Sequence, residues 1–192
     1  MADDPLVRAS KALSMLLRHD PGRFDVVLDE EGWADVSAVV AGLVSAGFRV
    51  DMAVVTEIVE EDEKRRYALS SNGTRIRANQ GHSVAVDLGL APGTPPAELY
   101  HGTVKRFLDA IRRDGLVPGS RSHVHLSATR ETAEGVGRRR GRPVVLVVDA
   151  ARMHADGHGF FLSENGVWLA EHVPAMYLRF PVGRGDGTRC AP

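Results

Sequence analysis

The sequence predicts an α+β fold in two lobes, and three observations carry that prediction. Three helical segments, two of them opened by a capping aspartate, lead into an Asn-Gly hairpin. The stretch Gly89–Pro96, with Gly93, Pro92, Pro95 and Pro96, then reads as a linker. Beyond it, strands outnumber helices with no regular βαβ alternation, which excludes a doubly wound sheet. The division that follows is a first lobe over 1–88, the linker 89–96, a second lobe over 97–181 and a polar tail, 182–192.

The first helix is set by apolar residues at 6, 9, 13, 16 and 17, with Lys11, Ser14 and Arg18 sharing the other face at i, i+3 and i+7. It ends at Arg18-His19, where Asp20-Pro21-Gly22 stops it. Cations at a helix C-terminus are favoured by the macrodipole, so the pair on its own reads first as structural. Arginine and imidazole at one fixed point also suit a phosphate. Asp35 can cap a second helix, Val36 to Ala46, closed by Gly47, and Asp51 a third, Met52 to about Asp62, with an acidic solvated face. Asn72-Gly73 tolerates φ > 0 at both positions and so predicts a tight hairpin. Its register pairs Leu69 with Ile76, Ala68 with Arg77 and Ser70 with Arg75. That places Arg66, Arg75 and Arg77 on one face and Tyr67, Leu69 and Ile76 on the other. Three helices and a two-stranded wing form a winged-helix arrangement, often used for nucleic acid. Arg75 and Arg77 read as phosphate contacts or as plain exposed strand residues.

In the second lobe the pattern gives a strand at Leu99-Tyr100, a helix Val104–Arg113 ended by Gly115 and a strand His123–Ser127. A helix near Thr129–Arg140 and a buried strand Val144–Val148 follow. Phe160–Leu162, Val167–Leu169 and Met176–Phe180 complete the set. Tyr100-His101-Gly102-Thr103 is read as the end of a strand and the start of a helix, with Gly102 allowing a ligand to approach the backbone. Glu164-Asn165-Gly166-Val167-Trp168 reads as a hairpin turn with Trp168 in the core.

Composition bounds the function. With 43% hydrophobic and 26% charged residues the chain is an ordinary globular protein, and no apolar run is long enough to span a bilayer. The acidic, polar N-terminus is not a signal peptide, which points to the cytoplasm. Cys190 is the only cysteine, so it forms no internal disulfide and excludes cysteine-rich metal sites. The net charge of −1 conceals an asymmetry: residues 1–90 carry 10 Lys+Arg against 15 Asp+Glu. An acidic first lobe does not bind nucleic acid by bulk charge; it needs a local cationic site. No Walker A sequence and no G-x-G-x-x-G after a strand is present, since Gly135-Val136-Gly137 falls inside a helical segment. His123 and His125 share a strand face but lack a third ligand, so no metal is expected. Arg138-Arg139-Arg140 with Arg142 reads as a solvated charge run.

Six segments in register carry a resemblance. They are Leu13-Ser14-x-x-Leu17-Arg18-His19, Gly32-Trp33-Ala34, Ile76-Arg77-Ala78-x-Gln80-Gly81-His82-Ser83, Tyr100-His101-Gly102-Thr103, Val124-His125-Leu126-Ser127 and Glu164-Asn165-Gly166-Val167-Trp168. In these, from about residue 8 to 180, the chain resembles the NAD-dependent RNA (tRNA) 2′-phosphotransferases. The resemblance implies a winged-helix RNA lobe and an ADP-ribosyltransferase-like lobe that binds NAD as co-substrate without a Rossmann fold. It also implies the reaction. An internal RNA 2′-phosphate attacks C1″ of the nicotinamide ribose and expels nicotinamide. The ribose 2″-OH then attacks the phosphorus, releasing 2′-OH RNA and ADP-ribose 1″,2″-cyclic phosphate.

By the same resemblance, the catalytic set falls on Arg18, His19, Arg66 and Arg121, with Arg121 on the second-lobe side. Three arginines suit a dianionic phosphate, and histidine suits a phosphate hydrogen bond and a proton transfer. His101, Gly102, Thr103 and Ser127 are implied at the NAD site, and Lys11 joins Arg18, His19 and Arg66 in holding the RNA phosphate. The expected partners are RNA carrying a 2′-phosphate and NAD, with no membrane and a monomeric chain. Two alternatives stay open: an ADP-ribosyltransferase acting on terminal phosphates of nucleic acid, and a non-catalytic winged-helix module.

Overall fold

The computed structural model describes residues 4–181, so Cys190 and the tail 182–192 lie outside the described residues. The fold is mixed, with small antiparallel sheets and six α-helices among the described residues. Two compact units make it up. The first gathers the chain up to Ala91 together with Pro118–His123 and Leu162–Gly166; the second takes Pro92–Val117, Val124–Phe161 and the chain from Val167.

In the first unit, α1 (Pro5–Arg18), α2 (Val36–Ser45) and α3 (Met52–Glu60) follow the sequence pattern. Asp35 caps α2 by accepting the Ala38 N–H at 3.0 Å, and Asp51 caps α3 by accepting the Val54 N–H at 2.9 Å. Asp4 caps α1 in the same manner. Each such cap satisfies one orphan N–H and stabilises its helix by roughly 1 kcal/mol. Leu13, Leu16, Leu17, Val39, Leu43, Val55 and Ile76 form the core, all fully buried. Strands β2 (Tyr67–Leu69) and β3 (Arg75–Ala78) pair in the expected register, Leu69 to Ile76 and Ala68 to Arg77. A further strand, β1 (Trp33–Asp35), adds to β3 on its other side and makes a three-stranded sheet. Its three residues carry no alternation long enough to be read locally.

That strand changes the part played by the hairpin arginines. Trp33 lies under both, with the Arg75 and Arg77 guanidinium carbons 5.6 and 4.7 Å from its ring centre. Arg75 is ion-paired with Asp29, and Arg77 with Glu164 at 2.6 Å. Cation–π stacking plus an acidic partner holds both side chains in place, with the Arg77 Nε buried and without a hydrogen-bond partner. They brace the sheet. The Glu164 turn likewise does more than reverse a hairpin: Asn165 donates its amide to the Lys64 carbonyl at 3.0 Å.

In the second unit, β4 (Glu98–Val104) pairs antiparallel with β6 (Pro143–Asp149), which pairs in turn with β9 (Leu178–Arg179). A second sheet places β8 (Trp168–Ala170) between β5 (Val124–Leu126) and β7 (Phe161–Leu162). Helices α4 (Leu108–Asp114), α5 (Arg130–Arg138) and α6 (Ala150–Ala155) complete it, around a core that includes Leu99, Leu126, Leu146, Met153 and Phe160.

β4 corrects the reading of Tyr100–Thr103. The strand runs seven residues straight through His101-Gly102-Thr103, and the helix begins only after Val104. Gly102 is there for packing. A Cβ on it would overlap the carbonyl oxygen of Ala133 and approach the Gly137 nitrogen at 2.9 Å. Helix α5 therefore lies directly on the β4 backbone, and the space that glycine opens is filled by protein, not ligand.

Candidate active site

The last turn of α1 delivers Arg18 inward. Only 8% of this residue is exposed. Its guanidinium lies over the Tyr67 ring at 5.9 Å and beside Gly81, and donates a long hydrogen bond, 3.5 Å, to the Arg66 carbonyl. Its Nε is buried with no hydrogen-bond partner. Burial foremost, then the charges of Arg66 and Arg121, pull the Arg18 pKa below its ordinary value. Those two arginines thus share its neighbourhood. A buried cation among like charges is costly unless an anion joins it.

His19, the residue after the helix, is exposed, and its Nδ1 lies 2.9 Å from the Ser83 hydroxyl. Partial burial first, then Arg18 and Arg121, lower its pKa. The ring is accordingly neutral near pH 7, and it carries an acceptor nitrogen. Arg66 sits on the strand-entry side of β2, held by Asp62, whose carboxylate is 3.4 Å from its guanidinium and accepts its backbone N–H. Arg65 just before it has φ +42°, a conformation uncommon outside glycine, which turns the chain into position. Arg121 arrives from Pro118–His123, which belongs to the first unit and not, as the sequence suggested, to the second. The reason is His82: its carbonyl accepts the Ser122 backbone N–H at 3.1 Å and the Ser122 hydroxyl at 3.3 Å.

Arg18, His19, Arg66 and Arg121 are therefore brought together in one unit. Lys11 lies on the exposed side of α1, two turns before Arg18. Sequence reasoning assigned no role to Asp62, Tyr67 or Gly81-His82-Ser83. An acidic residue four positions before an arginine, and a Gly-His-Ser turn directly after the hairpin, were the available signals.

The profile of the "RNA 2′-phosphotransferase, Tpt1 / KptA family" matches residues 4–172. The chain belongs to that family. It is 55% identical over 181 residues to a "Probable RNA 2′-phosphotransferase" of Streptomyces coelicolor, covering 94% of this chain and 98% of the relative. A protein of the same description from Rhodopirellula baltica is 52% identical over 181 residues, covering 94% and 98%. One from Pseudomonas aeruginosa is 56% identical over 171 residues, covering 88% and 94%.

The second unit carries His101, Gly102, Thr103 and Ser127. His101 and Ser127 are both half-buried; Nδ1 of His101 lies 3.1 Å from the His125 carbonyl, and Ser127 pairs its backbone with Tyr100. Burial foremost depresses the His101 pKa, so its imidazole is neutral and can both donate and accept. Thr103 is 3% exposed and Gly102 is covered by α5.

His82 makes the stability of the first unit sensitive to acid. Its ring is 2% exposed, with neither nitrogen hydrogen-bonded, and burial foremost, then Arg18, His19 and Arg77, lower its pKa to about 4. A depressed histidine pKa favours the folded state fully above about 6.5 and less as pH falls toward 4, where the loss reaches about 3 kcal/mol. Urea denaturation of the wild type is expected to show stability falling across that window, and His82→Gln to fall less steeply. Equal slopes would show that His82 does not carry the effect.

Proposed function

We propose that the chain removes an internal 2′-phosphate from RNA by transferring it to NAD, in the two steps the resemblance implies. In this reading the first unit acts as a winged-helix RNA lobe and the second as an ADP-ribosyltransferase-like lobe. NAD supplies an electrophilic ribose carbon with nicotinamide as leaving group, and then the vicinal hydroxyl that displaces the RNA.

The single observation that carries the reading is Arg18: a buried guanidinium with an unpartnered Nε, set beside His19, Arg66 and Arg121. A dianionic phosphate supplies a counter-charge to Arg18, whose buried Nε has no hydrogen-bond partner. Charge-assisted N–H···O bonds from the arginines hold it, and in a low-dielectric setting they strengthen as charge builds at phosphorus. His19, neutral and oriented by Ser83, takes the proton of the attacking hydroxyl and passes it to the departing RNA 2′-oxygen. Asp62 keeps Arg66 in place before substrate arrives. On the other unit, His101 and Ser127 bind the co-substrate through neutral hydrogen bonds.

The test is product analysis by mass spectrometry of NAD incubated with an internally 2′-phosphorylated oligoribonucleotide. The expected products are 2′-OH RNA, ADP-ribose 1″,2″-cyclic phosphate and nicotinamide. An unchanged 2′-phosphate would overturn the reading. Stable ADP-ribosylated RNA as the end product would favour an enzyme that stops after the first step.

A further inference from the structure

The exposed side of α1 borders a groove of about 370 Å³ that the clamp does not use. Arg8, Lys11 and Arg23 edge it, and Met15, Phe24 and Phe48 are among the apolar residues that floor it. No carboxylate lines it among the described residues, although the surrounding sequence is acidic overall. It also borders the helix that ends at Arg18 and His19. Met15 precedes His19 by four residues and Lys11 precedes Arg18 by seven, so these side chains follow one face over two turns of about 5.4 Å each.

We infer that this groove seats the RNA nucleotides flanking the 2′-phosphorylated residue. An anionic ligand is required by the rim, a flat apolar group suits the floor, and a strand bound at the clamp by its 2′-phosphate must leave along a neighbouring surface. Single-stranded RNA meets all three conditions: its backbone phosphates lie on Arg8, Lys11 and Arg23, and a base lies over Met15 and Phe48. Base contacts of this kind are tolerant of sequence, because every base has an apolar face. The groove thus explains how a unit with net negative charge holds RNA. Three cations gather at its rim, and the acidic residues of α3 lie outside it. An acidic peptide satisfies the rim and floor but has no reason to lie on the helix that ends at the clamp.

This inference rests on the phosphotransferase reading, and its test separates the two. The probe is an unmodified, fluorescein-labelled octaribonucleotide, measured by anisotropy against the wild type and the double variant Arg8→Glu/Arg23→Glu. Both positions are exposed, so folding is not at issue, and a thermal melt confirms it. The variant is expected to bind at least tenfold more weakly, and its log–log salt slope to be shallower by about 1.4, the value for two lost contacts to a single strand. A second measurement compares KM for a 2′-phosphorylated octamer and a 2′-phosphorylated dinucleotide; the advantage of the octamer should vanish in the variant. Equal octamer affinity of wild type and variant overturns the inference, as does an acidic peptide that displaces the octamer from wild type but not from the variant. If the wild type leaves the dinucleotide phosphate intact, the phosphotransferase reading fails while the anisotropy still decides the groove.

Discussion

Arg18→Ala is expected to lower turnover by about 10²–10³-fold and to let ADP-ribosylated RNA accumulate. In the proposed reaction the charge on the transferred phosphate grows most when the ribose hydroxyl attacks phosphorus, and Arg18 is the buried member of the arginine group. The first step needs the phosphate only as a nucleophile, so it suffers less. Quenched time courses resolved by mass spectrometry separate substrate, intermediate and product directly. Because Arg18 is buried, its removal also weakens packing, so His19→Ala is the companion variant. His19 is exposed and its loss leaves the core intact, and it should give the same accumulation. Equal loss of both steps in both variants, with no intermediate, would refute the assignment of the pair to the second step.

Gly102→Ala is expected to cost about 3 kcal/mol or more, seen as a fall of roughly 6–12 °C in the melting temperature. One methyl group placed against the Ala133 carbonyl forces α5 off β4, and backbone cannot yield as a flexible side chain can. The prediction separates two explanations of the same glycine. If Gly102 served as a ligand cradle, the alanine variant would melt like wild type and show only a raised KM for NAD. Differential scanning calorimetry with and without NAD distinguishes them. The position sits among the residues that carry the resemblance, so a functional role is the natural assumption there, and packing is the better account.

Much of the first unit was legible because its signals are local. Asp35 and Asp51 cap the helices they precede, and Asn72-Gly73 fixes the register of β2 with β3. What escaped notice depends on residues far away in sequence. β1 is three residues long and exists only through β3. The length of β4 was hidden because Gly102 reads as an interruption until α5 is seen to need it. Alternation correctly put Arg75 and Arg77 on one face, yet alternation says nothing about what covers a face, and Trp33, Asp29 and Glu164 cover this one. At the clamp, spacing along α1 singled out Arg18 and His19. Arg66 and Arg121 came from the resemblance alone, since no periodicity links positions so far apart. The positioning residues Asp62 and His82 act through one ion pair and one carbonyl, features that composition and spacing do not expose.

The chain returns twice to the first unit after leaving it, once with Pro118–His123 and again with Leu162–Gly166. A gene fragment ending at Ala91 would encode every helix and every sheet strand of that unit and still yield an incomplete object, without Arg121 and without the glutamate that holds Arg77. The boundary that looks natural for cutting is therefore the wrong place to cut. During synthesis, too, Arg121 joins Arg18, His19 and Arg66 only after well over half the protein has left the ribosome.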